Sequence, residues 1–261
     1  MRLVRFLHQG QPAWGIVEGE EVYLVEGSVY EAPARGPRVG PLASLKLLAP
    51  AEPTKIVAYA GNYKRLITRD GRPLPDLATY EPLLFLKAPT CLIGPEEPVV
   101  YPAIATRVQH EPELAFVVKK RARHVPLAEA RDYLLGFTIA NDVTAENVHG
   151  RDIHLARSKS FDTFCPCGPF LETDLDTRDL RITLWLNGEV AVDDRTSDRI
   201  WDDARILHEA SKIMTLLPGD LVLTGVPMYR RWETRNIKPG DVMEIAIEGL
   251  GRLRNPVVAE E

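Results

Sequence analysis

The sequence predicts a mainly β protein with a few helices, an α+β chain of mixed sheets preceded by a small N-terminal β unit. Three observations carry this. Short apolar runs recur along the chain, and Gly, Pro, Asn and Asp punctuate them. Only one stretch keeps a clear helical period. With 261 residues, 45% hydrophobic and 26% charged, the chain is long enough to bury a large core. A formal net charge of −5, with no basic stripe, argues against nucleic acid as a partner. The first residues lack a signal-peptide core, and no apolar run reaches membrane-spanning length, so a soluble, cytoplasmic protein is expected. Cys91, Cys165 and Cys167 suit neither a disulfide framework nor a zinc site and read as buried thiols.

Taken in order, residues 1–50 form the small unit and 51–261 the main domain. Ala13–Val17 and Val22–Val25 flank Glu18-Gly19-Glu20-Glu21 as a hairpin, and the Pro- and Gly-rich residues 26–53 read as a connector. Lys55 to Ala60 is a buried strand. Residues 64–80 are polar, Pro-rich and aperiodic, as in a lid or loop. Pro82 to Lys87 is a strand ending in a lone cation. Two further apolar runs, Leu114–Val118 and Leu134–Ala140, bracket a short helix that begins at Pro126. Residues 158–163 are a polar loop. Arg181 to Leu186 is a strand turned by Asn187-Gly188, and Asp202 with Asp203 caps a helix. Leu217-Pro218-Gly219-Asp220 and Lys238-Pro239-Gly240-Asp241 share a rhythm, each a turn feeding a strand.

The stretch that carries chemistry is 109–142. Glu111 and Glu113 stand one residue apart at the mouth of an apolar strand, and Asp142 closes a second apolar run. On a strand, residues i and i+2 share a face, with Cα atoms roughly 6.5–7 Å apart. If the second strand lies in the same sheet, three carboxylates converge. They repel unless a cation joins them, and an all-oxygen set suits Mg²⁺, with Mn²⁺ or Ca²⁺ as alternatives. The competing reading is a pair of solvated glutamates on a polar strand face, and spacing alone leaves the two readings even.

Six collinear blocks then carry a likeness: K-I-V-A-Y-A-G-N-Y (55–63), P-L-L-F-L-K (82–87), E-P-E-L-A-F-V-V (111–118), G-F-T-I-A-N-D-V (136–143), S-K-S-F-D-T-F (158–164) and L-P-G-D-L-V-L-T-G (217–225). Together they resemble the fumarylacetoacetate hydrolase family. The resemblance implies a mixed-sheet roll or sandwich, usually dimeric, with Mg²⁺ or Mn²⁺ held by Glu111, Glu113 and Asp142. It also implies that Lys159 faces the substrate, with Lys87 and Tyr63 close by. The family's hydrolases and decarboxylases typically read N-Y-x-x-H with a glutamate three residues on, a pair that activates or positions water. Leu66 and Arg69 stand there instead. The usual T-G-T-P is Thr224-Gly225-Val226-Pro227, and the common R-D-x-Q is replaced by Glu146, Asn147 and His149.

Three carboxylates and one dication leave about one negative charge, so an anionic ligand must chelate or meet nearby cations. A 2-oxo or 2-hydroxy-dienoic acid does both, with an enolate stabilised by the metal. Lys159 adds charge there and, if desolvated, would have a lowered pKa and move protons itself. Arg157, and Lys87 with it, are candidates for holding a second carboxylate, each weighed against a plain surface or structural role. His149 is a candidate acid–base weighed against a loop histidine, whereas His110 falls on the opposite strand face and reads as structural. The favoured function is a metal-dependent isomerase of an unsaturated 2-hydroxy/2-oxo dicarboxylic acid from aromatic-ring cleavage, such as 2-hydroxyhepta-2,4-diene-1,7-dioate. A hydrolase or decarboxylase of the same fold is the alternative, and a non-catalytic metabolite-binding module a third.

Overall fold

At the middle of the largest sheet, strand Pro112–Val118 pairs antiparallel with strand Leu134–Asn141, Glu113 opposite Ala140 and Pro112 opposite Asn141. The computed structural model describes residues 1–261 apart from the side chains of His149 and Arg151. The Pro112–Val118 run is unbroken because both faces are covered. Leu114, Phe116 and Val118 join a core shared with Ile182 and Leu184 and with Ile206, Leu207 and Ala210 of the helix Asp203–Ile213. Ala115 and Val117 face a second core with Leu3, Ile56, Ala58 and Phe164. A strand buried on both sides needs no polar alternation.

The sheet continues on both sides of this pair. In one direction lie Leu221–Leu223, Ile56–Ala60 and Leu83–Lys87, and the contact of Leu221–Leu223 with Ile56–Ala60 is parallel. In the other lies Cys165–Glu172, followed by the N-terminal meander Arg2–His8, Gln11–Glu18, Glu21–Glu26 and Ala34–Pro41. A second, five-stranded sheet contains the hairpin Arg181–Leu186 and Glu189–Arg195 together with Val242–Ile247 and Gly251–Ala259. The architecture is the expected mixed-sheet α+β one. No helix among the described residues is long and apolar enough to cross a membrane.

Most expected elements are present. Asn187 (φ 52°) and Gly188 (φ 83°) take the left-handed turn that their dipeptide predicts. Asp202 caps the Asp203–Ile213 helix, its side chain accepting from the Arg205 N–H. Four readings need correction. The connector contains the strand Ala34–Pro41, an edge strand whose two prolines lack the N–H that an interior ladder requires, paired irregularly with Glu21–Glu26. The loop at 158 begins inside a short helix, Ala156–Lys159. The stretch 64–80, expected as a loop throughout, opens with a short helix, Lys64–Thr68. Strand Cys165–Glu172 carries no strand signal, hidden by its own Pro166, Gly168 and Pro169.

The two look-alike turns are built the same way. Asp220 Oδ2 accepts the Leu217 N–H and Asp241 Oδ2 the Lys238 N–H, both at 2.8 Å. Gly219 (φ 89°) and Gly240 (φ 92°) supply the left-handed residue. Asp220 also accepts from the Thr54 N–H at 2.9 Å and from Lys55 Nζ at 2.5 Å, which ties the turn to the head of strand Ile56–Ala60. Its side chain is fully buried. Replacing it with alanine leaves those donors unanswered, and we expect a loss of about 3–5 kcal/mol. Chemical denaturation checks this; a loss below about 1 kcal/mol would contradict the account.

Candidate metal centre

The register of the central pair brings the acids together. The Asp142 N–H donates to the Glu111 carbonyl at 2.9 Å, and Asn141 Oδ1 accepts the Glu111 N–H at 2.8 Å. The two segments thus clasp each other just beyond their strands. One carboxylate oxygen from each of Glu111, Glu113 and Asp142 lies within 4.8 Å of the others. The predicted acids therefore converge, with Glu113 and Asp142 buried and Glu111 nearly so.

Their partners differ. Asp142 Oδ1 takes Lys87 Nζ at 2.6 Å, and Oδ2 takes Lys159 Nζ. Lys159 Nζ also donates to Glu111 Oε2 at 2.9 Å. Glu113 Oε2 receives the Gly225 N–H at 2.5 Å, and no cation pairs with Glu113 among the described contacts. Gly225 (φ 105°) is required there, because a Cβ would approach Asn62 Cβ to 3.0 Å and the Tyr59 carbonyl to 3.2 Å. Asn62 is itself fixed, donating to the Thr224 and Trp201 carbonyls at 2.8 and 3.0 Å.

These environments split the three acids. Burial, then Asp142 and Glu111, hold the Glu113 carboxyl well above the usual carboxylate range. Burial also works against Asp142, but Lys159 and Lys87 outweigh it and its pKa is lowered. For Lys159 burial opposes the charge, yet Asp142 and Glu111 raise its pKa above that of an ordinary lysine. Desolvation alone would lower it, as the sequence predicts; the two carboxylate partners reverse the sign. An all-oxygen set in which one carboxyl lacks any counter-charge fits a hard dication.

The remaining candidates fall in different places. Lys87 is completely buried and spends its donors on Asp142, Val143 O and Phe164 O, so it backs an acid and has none left for a second carboxylate. Arg157 is exposed and lies in a surface groove with Ile104 and Phe161 that includes none of the three acids. Tyr63 is fully buried and its hydroxyl has no hydrogen-bond partner among the described residues; burial raises its pKa. His110 is fully buried, its Nε2 at 2.8 Å from Thr234 O, and burial lowers its pKa to about 4, as suits a structural residue. The His149 side chain lies outside the described residues. Leu66 packs on the core and Val226 is buried.

Arg235, with Trp232 stacked on it, also stands beside the acids, with no signal in the sequence that marks either as a site residue. Arg235 Nη2 lies 3.9 Å from Glu111 Oε1, and its guanidinium stacks 3.6 Å from the centre of the Trp232 ring. Arg69, at the position that departs from the family's glutamate, stacks 3.5 Å from the same ring.

Residues 55–258 match the family model described as fumarylacetoacetate (FAA) hydrolase, C-terminal, and residues 1–50 match one described as Rv2993c-like, N-terminal. The chain belongs to the fumarylacetoacetate hydrolase family. Within it, the chain is 40% identical to Protein Rv2993c of Mycobacterium tuberculosis, over 99% of this chain and 98% of that protein. A structure titled 2-hydroxyhepta-2,4-diene-1,7-dioate isomerase from Mycobacterium marinum superposes with a TM-score of 0.89 at 37% identity, covering 100% of this chain and 99% of that one. Oxaloacetate tautomerase fahd2, mitochondrial, of Xenopus laevis is 34% identical over 83% of this chain and 69% of that protein. Family members with isomerase and tautomerase names thus stand among its relatives.

Proposed function

We propose that this family member is a divalent-metal-dependent isomerase, a tautomerase of an unsaturated 2-hydroxy/2-oxo dicarboxylic acid in aromatic-compound breakdown, with 2-hydroxyhepta-2,4-diene-1,7-dioate the leading candidate. The observation that carries this reading is the convergence of Glu111, Glu113 and Asp142 around Lys159, combined with Leu66 and Arg69 where a water-activating His–Glu pair would stand. Proton transfer needs no activated water, whereas hydrolysis does. The names of the Mycobacterium marinum and Xenopus laevis proteins point the same way.

Glu111, Glu113 and Asp142 would hold Mg²⁺ or a similar hard dication, which supplies Lewis-acid polarisation of a 2-oxo acid. Lys159 contributes a fixed positive charge beside the same acids, stabilising negative charge that develops on the substrate's 2-oxygen. Its raised pKa makes it a charge and a hydrogen-bond donor, so it does not serve as the base. Lys87 keeps Asp142 ionised from behind. The Gly225 N–H fixes one oxygen of Glu113, and the unpartnered Tyr63 hydroxyl offers a buried donor to a bound oxo-acid.

We expect the protein with Mg²⁺ to catalyse deuterium incorporation at C3 of a 2-oxo diacid, and chelation to stop it. Oxaloacetate and longer unsaturated diacids serve as substrates, followed by proton NMR. Release of CO₂ or of two carbon fragments at the same rate as exchange would replace this reading with decarboxylation or hydrolysis. No exchange with any diacid would leave a binding module.

A further inference from the structure

We propose that Arg235, laid flat on Trp232, receives the substrate's carboxylate, with Arg69 on the same indole as a second cation. This rests on the oxo-acid reading above and assigns the residues that would make the site select anions.

The inference follows from which cations still have donors to spend. Lys87 has spent all three donors, Lys159 gives two of its three to Asp142 and Glu111 and keeps one for the 2-oxygen, and Arg157 stands apart on the surface. Arg235 reaches the edge of the acid cluster from the turn Trp232–Arg235, its side chain only 12% exposed. At 3.9 Å from Glu111 Oε1 it faces that carboxylate without hydrogen-bonding it. Among the described contacts its guanidinium makes a single hydrogen bond, to Gln109 Oε1. A guanidinium carries five donors in a planar fork that matches a carboxylate, so most of that fork is uncommitted.

Its position is also fixed. Trp232 stacks on it at 3.6 Å, and Gln109 in turn donates its Nε2 to Glu146, which pairs with Arg107 at 2.8 Å. A fork held by both its face and its edge loses little freedom on binding an anion. Arg69, from the end of the helix Lys64–Thr68, brings a second guanidinium to Trp232. Its ion-pair partner, Asp70 at 3.1 Å, is 53% exposed and therefore weak. Two like charges sharing one indole repel each other, and an anion between or beside them relieves that repulsion.

Calorimetry on the Mg²⁺-loaded protein tests this, with oxalate as the probe and Arg235→Met and Arg235→Lys as variants. A substrate-carboxylate role predicts that Arg235→Met weakens oxalate by about 10–100-fold. The same change should tighten Mg²⁺ by about twofold or more, since a positive charge has left the neighbourhood of a dication. Arg235→Lys, which keeps the charge and loses the fork, should recover Mg²⁺ affinity to the original value but only part of the oxalate affinity. If Arg235 only orients Glu111, the Met variant will bind Mg²⁺ more weakly and oxalate unchanged once loaded, which overturns the assignment. Thermal melting of each variant reports on folding, and a Met variant that melts early hands the decision to Arg235→Lys. Wild-type protein that binds Mg²⁺ but no oxalate rejects the role of Arg235 and leaves the metal centre standing. Wild-type protein that binds no Mg²⁺ removes both.

Discussion

Glu113→Gln is expected to lower Mg²⁺ affinity by well over the roughly 10–100-fold that loss of an outer-shell partner costs, because it removes a ligand outright. The fold should survive, since glutamine keeps the acceptor for the Gly225 N–H. Stability gives the experiment a second, signed readout. In the folded protein burial, then Asp142 and Glu111, hold this carboxyl's pKa well above 4.5, so the native state keeps a proton that the unfolded chain has lost. The native state then binds more protons, and stability falls as pH rises from the unfolded value through the raised one. Glutamine has no such slope. In chelator the variant should therefore gain on the wild type between about pH 5 and about pH 8, and adding Mg²⁺ should reverse the order by stabilising only the wild type. Melting curves at the two pH values, with and without metal, decide it. Equal Mg²⁺ affinities would remove Glu113 from the metal set, and parallel pH profiles would contradict its environment.

Lys159→Met should reduce the exchange rate on a 2-oxo diacid by about 10²–10³-fold, the scale of losing one preorganised charge at a developing oxyanion. Asp142 retains Lys87, so the acid cluster should hold together. Because Asp142 and Glu111 outweigh burial and raise the lysine's pKa, its charge is constant across the neutral range and the wild-type rate should show no inflection from Lys159 between about pH 6 and about pH 9. Lys159→Arg should restore part of kcat. A lysine acting as a free-amine base would behave otherwise, with an inflection in that range and no rescue by arginine. A Met variant of undiminished rate would place the chemistry elsewhere.

The acid centre was legible in the chain because its signals are local. Glu111 and Glu113 sit at the head of an apolar run, Asp142 at the foot of another, and adjacent antiparallel strands bring a head against a foot. The family was legible because six blocks fall in one order. Arg235 was not legible. It lies in a charged, turn-like stretch that reads as a solvated loop, and only the fold carries it to Glu111, more than a hundred residues earlier in the chain. Lys159 shows the same limit. Its desolvation could be anticipated from the block that contains it, but the carboxylates that overturn that effect lie just beyond the ends of two strands distant from it in sequence. Strands Ala34–Pro41 and Cys165–Glu172 escaped because proline and glycine mimic loops wherever a sheet edge or an irregular ladder tolerates them.

Arg2 and Leu3 continue the ladder of strand Cys165–Glu172, opposite Glu172 and Leu171. A protein cut at residue 50 would leave part of that ladder, and the apolar face around Phe170, bare to water. Such a fragment would present an open rim for other copies to zip onto, so the leading segment shields its neighbour against clumping as well as adding to the fold.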